Sequence, residues 1–308
     1  MLVSVKEILT NAQKGGYAVG AFNTTNLETT QAIIEAAKEL ESPVIVQVTE
    51  KTLEYAGSRM IFSIIKNMAE LYAPNVSVGI HVDHGKSVEL IQRCANVGFT
   101  SVMYDGSHKS FDDNTAITRK VVEFCHERGI DVQGELGNVP YLGELGMGEV
   151  DWDQYMTDPA KAERFVNETG IDTLAVAIGN AHGFVIERPQ PDLERLEAIR
   201  KRVSIPLILH GASDWGNGKV KDVVERGICC FNVDTAIRVA FVNSIIRSSQ
   251  GANDNITFDV RKILGDARDE VKRAVMRKMI DFCSNGKCAV TFEEGKGGMH
   301  ADGEQNSK

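Results

Sequence analysis

From residue 17 to about residue 250, short β-branched apolar runs alternate with longer stretches of helical periodicity, and this alternation constrains the fold more than any other feature. The apolar runs lie at 17–22, 43–49, 76–83, 101–105, 130–136, 172–179, 205–210 and 228–233. Between them, stretches such as LETTQAIIEAAKEL, SVELIQRCANVG and NTAITRKVVEFCHERG place apolar residues every three or four positions. VIVQV, LAVAI and PLIL are almost wholly apolar, as in parallel strands buried on both faces. Several helical stretches end in glycine just before the next strand (Gly98, Gly129, Gly170, Gly227), which suits αβ loops. Eight strand–helix units predict an α/β protein, a TIM (β/α)8 barrel with additional C-terminal helices, rather than an open doubly wound sheet. A dinucleotide-binding sheet would carry G-x-G-x-x-G after its first strand, and the residues there read AFNTTNLE.

The chain has 308 residues, and a barrel commonly needs about 250. We expect residues 1–290 to form one barrel domain with a C-terminal helical extension spanning 259–284, and 291–308 to be a disordered polar tail. The connection 137–158 (GNVPYLGELGMGEVDWDQYMTD) is long and glycine-rich and reads as a mobile lid. A net charge of -9 argues against nucleic acid or an anionic membrane as partner. No apolar run approaches the ~18 residues that span a bilayer. The six cysteines contain no C-x-x-C pair, and the N-terminal MLVSVKEILTNAQ lacks a signal-peptide core. A cytoplasmic protein with reduced thiols is expected.

The chemically distinctive residues fall at the C-terminal ends of the strand candidates: Asn23, Thr49, Asp83, His84, Asp105, His108, Glu135, His182, His210, Asn232 and Asp234. That end of the barrel is where active sites of this fold are built. His84, His182 and His210 each precede a glycine, and three imidazoles from three strands suit a Zn²⁺ ion with an open position. Asp83 and His84 are adjacent and would face opposite sides of a regular strand, so a bend is needed, and Gly85 offers one. Asp83 then reads either as a proton-transfer carboxylate or as one that orients a histidine. Asp105 and Glu135 could hold a second cation or support the histidines. His81 reads as supporting, His126 and His300 as surface residues. The loops after strands seven and eight, with Ser213, Thr235 and Arg238, fit a phosphate site, although Asp234 could equally be a helix N-cap.

In order along the chain, VGAFNTTNLE, HVDHG, YDGSHKSFDDN, GELG, TDPAKAERFVNETGIDTLAVAIGNAHG, LILHGAS and FNVDT resemble the class II, metal-dependent fructose-bisphosphate and tagatose-bisphosphate aldolases over nearly the whole length. The resemblance implies reversible cleavage of a ketose (bis)phosphate to dihydroxyacetone phosphate and an aldehyde. It implies that Asp83 is the acid/base, that His84, His182 and His210 bind zinc, and that Asp105 and Glu135 match positions for a second or alternative metal. Gly183, Gly211, Ser213, Asn232, Asp234 and Thr235 match the ketose and phosphate end, with a monovalent cation near Gly183 and Gly211. Asn23, Thr49 and Arg238 match the other end of a bisphosphate. In this family zinc stabilises an enediolate, a lid glutamate exchanges the second proton, and the subunits form homodimers or homotetramers. Three departures stand out. The lid reads NVPYLGELGMGEVD in place of G-G-x-E-D, leaving Glu144 and Glu149 as candidates; Asp214 replaces a phosphate-loop glycine; Cys230 replaces a lysine. These departures keep open an aldolase for another ketose phosphate, a non-catalytic phosphosugar- or metal-binding barrel, and a sugar-phosphate isomerase or epimerase.

Overall fold

The computed structural model describes residues 1–141, 151–183, 190–250 and 258–288. Strands β1 (Val19–Asn23), β2 (Val44–Thr49), β3 (Val78–Gly85), β4 (Ser101–Tyr104), β5 (Asp131–Leu136), β6 (Thr173–Val176), β7 (Leu207–Leu209) and β8 (Ile228–Val233) pair in chain order, and β8 returns to β1 to close the barrel. Both end strands are parallel to their neighbours, with Ala21 beside Ile45 on one side and Asn232 on the other. The predicted (β/α)8 architecture is therefore the observed one. Among the described residues no helix is long and apolar enough to cross a membrane.

Helix α1 (Val5–Gly15) precedes the first strand and closes the N-terminal mouth. Its buried Val5, Ile8, Leu9 and Ala12 pack with Val19, Ala21, Ile45, Ala175, Ile208, Cys229 and Cys230 as one cluster inside the barrel. Ser4 caps the helix, and Asp131 at the start of β5 accepts from Ser4 Oγ (2.7 Å) and Lys6 N (2.8 Å). With that end filled by apolar side chains, the polar lumen residues Asn23, Gln47, His81, Asp83, Gln133, Glu135 and Asn232, all buried, collect toward the opposite end.

The outer layer comprises α2 (Leu27–Glu39), α3 (Glu50–Ala56), α4 (Ser58–Asn67), α5 (Val88–Val97), α6 (Phe111–His126), α7 (Pro159–Thr169), α8 (Leu193–Arg202), α9 (Asn217–Val224) and α10 (Thr235–Gln250). A long α11 (Val260–Asp281), foreseen as the C-terminal extension, packs against α10 and α2. Two features differ from expectation. The segment between β2 and β3 holds two helices and a short π-turn, Met68–Tyr72. Strand six ends at Val176 rather than continuing to 179, because side chains displace the ladder there: Ala177 N donates to Thr157 Oγ1 (2.8 Å) and Ile178 N to Asn180 Oδ1 (2.7 Å).

Candidate metal and proton-transfer site

The bend between Asp83 and His84 is present, but His84 itself makes it. Its φ is +50°, in the left-handed region, and the β3–β4 register shifts between Val82 and Gly85. A bulge places two residues where a regular strand has one, so Asp83 and His84 both face the lumen end. Gly85 serves closeness rather than curvature, since a Cβ there would lie 2.7 Å from Met103 O.

Three imidazoles converge. His84 Nε2 is 3.0 Å from His210 Nδ1, about the spacing of two ligands each 2.0–2.1 Å from one zinc ion. His84, His182 and His210 offer ring nitrogens mutually within 4.8 Å, and His84, Asp105 and Glu135 form a second, overlapping group. His84 Nδ1 is fixed by Asp105 Oδ2 at 2.8 Å, while Asp105 Oδ1 accepts from Ser107 N and Oγ. Both Asp105 oxygens are thus engaged, one on His84 and the other on Ser107. Glu135 Oε2 stands 3.3 Å from His210 Nδ1 and, like His182 Nε2, is buried without a hydrogen-bond partner among the described residues. Buried polar atoms are normally satisfied, and these two, one a carboxylate oxygen and the other an imidazole nitrogen, fit a divalent cation. The electrostatics agree. Burial, with His84 and His210 nearby, lowers the His182 pKa to about 3, so its ring is neutral. Burial alone would lower His84 too, but Asp83, Asp105 and Glu135 raise it to about 10, a negative field that equally favours a bound cation.

Asp83 is buried, and its nearest contact to His84 is 3.9 Å, too long for a hydrogen bond. Two amides hold it: Asn23 Nδ2 donates to Oδ2 (2.9 Å) and Asn232 Nδ2 to Oδ1 (3.0 Å). Gln47 Nε2 in turn donates to Asn23 Oδ1 (2.7 Å). Burial pushes the Asp83 pKa up, but His84, His210 and the Asn23 amide outweigh it and leave the group below the ordinary carboxylate range.

The remaining expected residues are more dispersed. Gly211 (φ +62°) passes so close to the neighbouring loop that a Cβ would sit 2.4 Å from Ala181 C, and Gly183 (φ +96°) follows His182. Asn180 Nδ2 donates to His210 O (2.9 Å), tying the segments that carry His182 and His210 together. Ser213 Oγ is 3.5 Å from Asn232 O, and Thr235 opens α10. Asp234 pairs with Arg238 at 3.0 Å across one helical turn. Thr49 caps α3 through Thr52 N. Cys230 is a buried thiol whose pKa burial pushes well up. His81 is bound to Ser101 Oγ (2.9 Å) and burial lowers its pKa to about 4, so it is a neutral support. His108 is exposed, and so is His126, as expected, which pairs with Asp172 at 2.8 Å. Glu144, Glu149 and His300 lie outside the described residues, as do the middle of the lid and the tail. The lid's two feet are described: Asn138 N donates to Tyr155 O (2.8 Å) and Thr157 N to Ala177 O (2.8 Å). Gln47, Gln133, Asn180 and Tyr141 were not singled out from the sequence. For Gln47 and Gln133 the signal was a lone amide in a strand candidate.

Comparison with known proteins gives one answer. The family model for class-II fructose-bisphosphate aldolase matches residues 3–287. A fructose-bisphosphate aldolase of Geobacillus stearothermophilus is 40% identical over 289 residues, covering 94% of this chain and 99% of the relative. One from Thermus caldophilus is 39% identical, covering 93% and 100%. The crystal structure of the YdjI aldolase from Escherichia coli K12 superposes with a TM-score of 0.81 at 31% identity, covering 94% of this chain and all of the other. The fold, the matched span and these relatives agree that the chain belongs to the class-II fructose-bisphosphate aldolase family.

Proposed function

We propose that the protein is a zinc-dependent aldolase that cleaves a ketose phosphate, fructose-1,6-bisphosphate or a close relative, with Asp83 as its proton-transfer group. The observation that carries this reading is the position of Asp83. It is ionised, buried and gripped by Asn23 and Asn232, beside the imidazole cluster yet hydrogen-bonded to none of its rings. A carboxylate so placed takes the proton of the C4 hydroxyl as the C3–C4 bond breaks and returns it in condensation. The electron pair of that bond passes to the ketose fragment as C4–O becomes a carbonyl. When bound to His84, His182 and His210, zinc supplies a Lewis acid for the ketose oxygens. Asp105 and Glu135, which converge with His84, are the carboxylates available to a second divalent ion. The Gly183 and Gly211 segments would seat a monovalent cation.

Ser213, Asn232, Asp234 and Thr235 bound the ketose-phosphate end, where the start of α10 offers backbone N–H groups to an anion. Asn23, Thr49 and Arg238 serve the other end of a bisphosphate. The subunit works as a homodimer or homotetramer. Six free thiols support a cytoplasmic location. The test is a coupled triose-phosphate assay over a panel of ketose mono- and bisphosphates, with Zn²⁺ and with EDTA. Zn²⁺-dependent triose-phosphate release supports the proposal; binding without cleavage, or isomerisation that conserves carbon number, overturns it.

A further inference from the structure

The three imidazoles are not held alike. Asp105 fixes His84 through Nδ1, and the Gln133 amide lies 2.8 Å from His210 Nε2. Among the described residues no side chain is hydrogen-bonded to the His182 ring, and its Nε2 is buried without a partner. What lies on that ring is Tyr141, stacked with centroids 4.5 Å apart and planes 18° apart. The backbone explains the stack. Tyr141 and His182 form an isolated parallel bridge, and His182 N donates to Pro140 O at 2.9 Å. Bridged residues on adjacent parallel chains stand about 4.8 Å apart, so their side chains lie side by side. Because β6 stops at Val176, this bridge gives His182 the strand-like support that its own ladder no longer provides.

We propose that Tyr141 is a positioning residue that sets the plane of the His182 ring, doing by stacking what Asp105 and Gln133 do by hydrogen bonding. The inference rests on the reading of the three histidines as a cation site. Orienting partners of metal-binding histidines typically change metal affinity 10- to 100-fold, and a ring stack belongs at the lower end of that range.

The experiment is a titration of EDTA-stripped protein with Co²⁺, followed by visible absorbance, for wild type, Tyr141→Phe and Tyr141→Ala. Wild type and Tyr141→Phe, which keeps the ring, are expected to bind within about twofold of each other with the same spectrum. Tyr141→Ala is expected to lose about tenfold in affinity and to show a shifted band. Thermal unfolding of the stripped proteins should be nearly unchanged, since the Tyr141 side chain is half exposed. If Tyr141→Ala binds Co²⁺ like wild type, or if Tyr141→Phe loses as much as Tyr141→Ala, the stacking role is overturned. If wild type itself binds no Co²⁺, the cation-site reading falls and the inference with it.

Discussion

The Asp105 carboxylate lies 2.8 Å from His84 Nδ1 and so turns Nε2 of the same ring toward His210. Asp105→Ala removes that constraint without touching a ligand nitrogen. Divalent-cation affinity should fall about 10- to 100-fold, measured by competition of the stripped protein with a chelating dye. Unchanged affinity would show that Asp105 is not the group that orients His84.

Gly211→Ala should be costly for two reasons. A φ of +62° costs a residue with a Cβ about 1–2 kcal/mol, and that Cβ would press on the Ala181 backbone just before His182. A lower melting temperature together with weaker cation binding is expected. Gly218 in α9 has open space around it and serves as control; Gly218→Ala should be neutral or stabilising by up to about 1 kcal/mol. Equal melting temperatures for the two variants would refute the close-approach explanation.

At the other end of the barrel, Asp172 accepts from Lys6 Nζ, Val132 N and His126 Nε2, each at 2.8 Å. Burial raises its pKa, but Lys6, Val132 and His126 together bring it below the ordinary value. A depressed carboxylate contributes stability that is present above its unfolded pKa and is lost as pH falls through the folded one. Lys6→Met removes the largest of these lowering contacts, so acid unfolding followed by circular dichroism should begin at a higher pH than in wild type. At neutral pH the loss should be about 1 kcal/mol, since Lys6 is half exposed. An unshifted or lower acid midpoint would contradict this role.

Much of the barrel is legible in the order of the residues, because strands buried on both faces must be apolar throughout and VIVQV and LAVAI stand out against helical periodicity. The polar residues at the strand ends were equally visible. Their partners were not. Whether Asp83 or Asp105 orients a histidine depends on a bulge at His84, and nothing local marks a histidine for positive φ. By composition strand six continues to Gly179, yet the side chains of Thr157 and of the neighbouring Asn180 intercept its backbone. Asn23 and Asn232 lie 209 positions apart, and only barrel closure brings both onto Asp83. Tyr141 gave no signal at all, because its contact with His182 spans 41 positions and exists only after the sheet forms.

The central claim is that Asp83 transfers the proton while the histidines hold the cation, and Asp83→Asn separates those two jobs. The direct measurement is retro-aldol turnover of Zn²⁺-loaded wild type and Asp83→Asn on the best ketose phosphate, with bound zinc quantified in the same samples. The expected result is undiminished zinc content with kcat lower by about 10²- to 10⁴-fold. Turnover retained within a few-fold at full zinc content, or zinc lost along with activity, would contradict it.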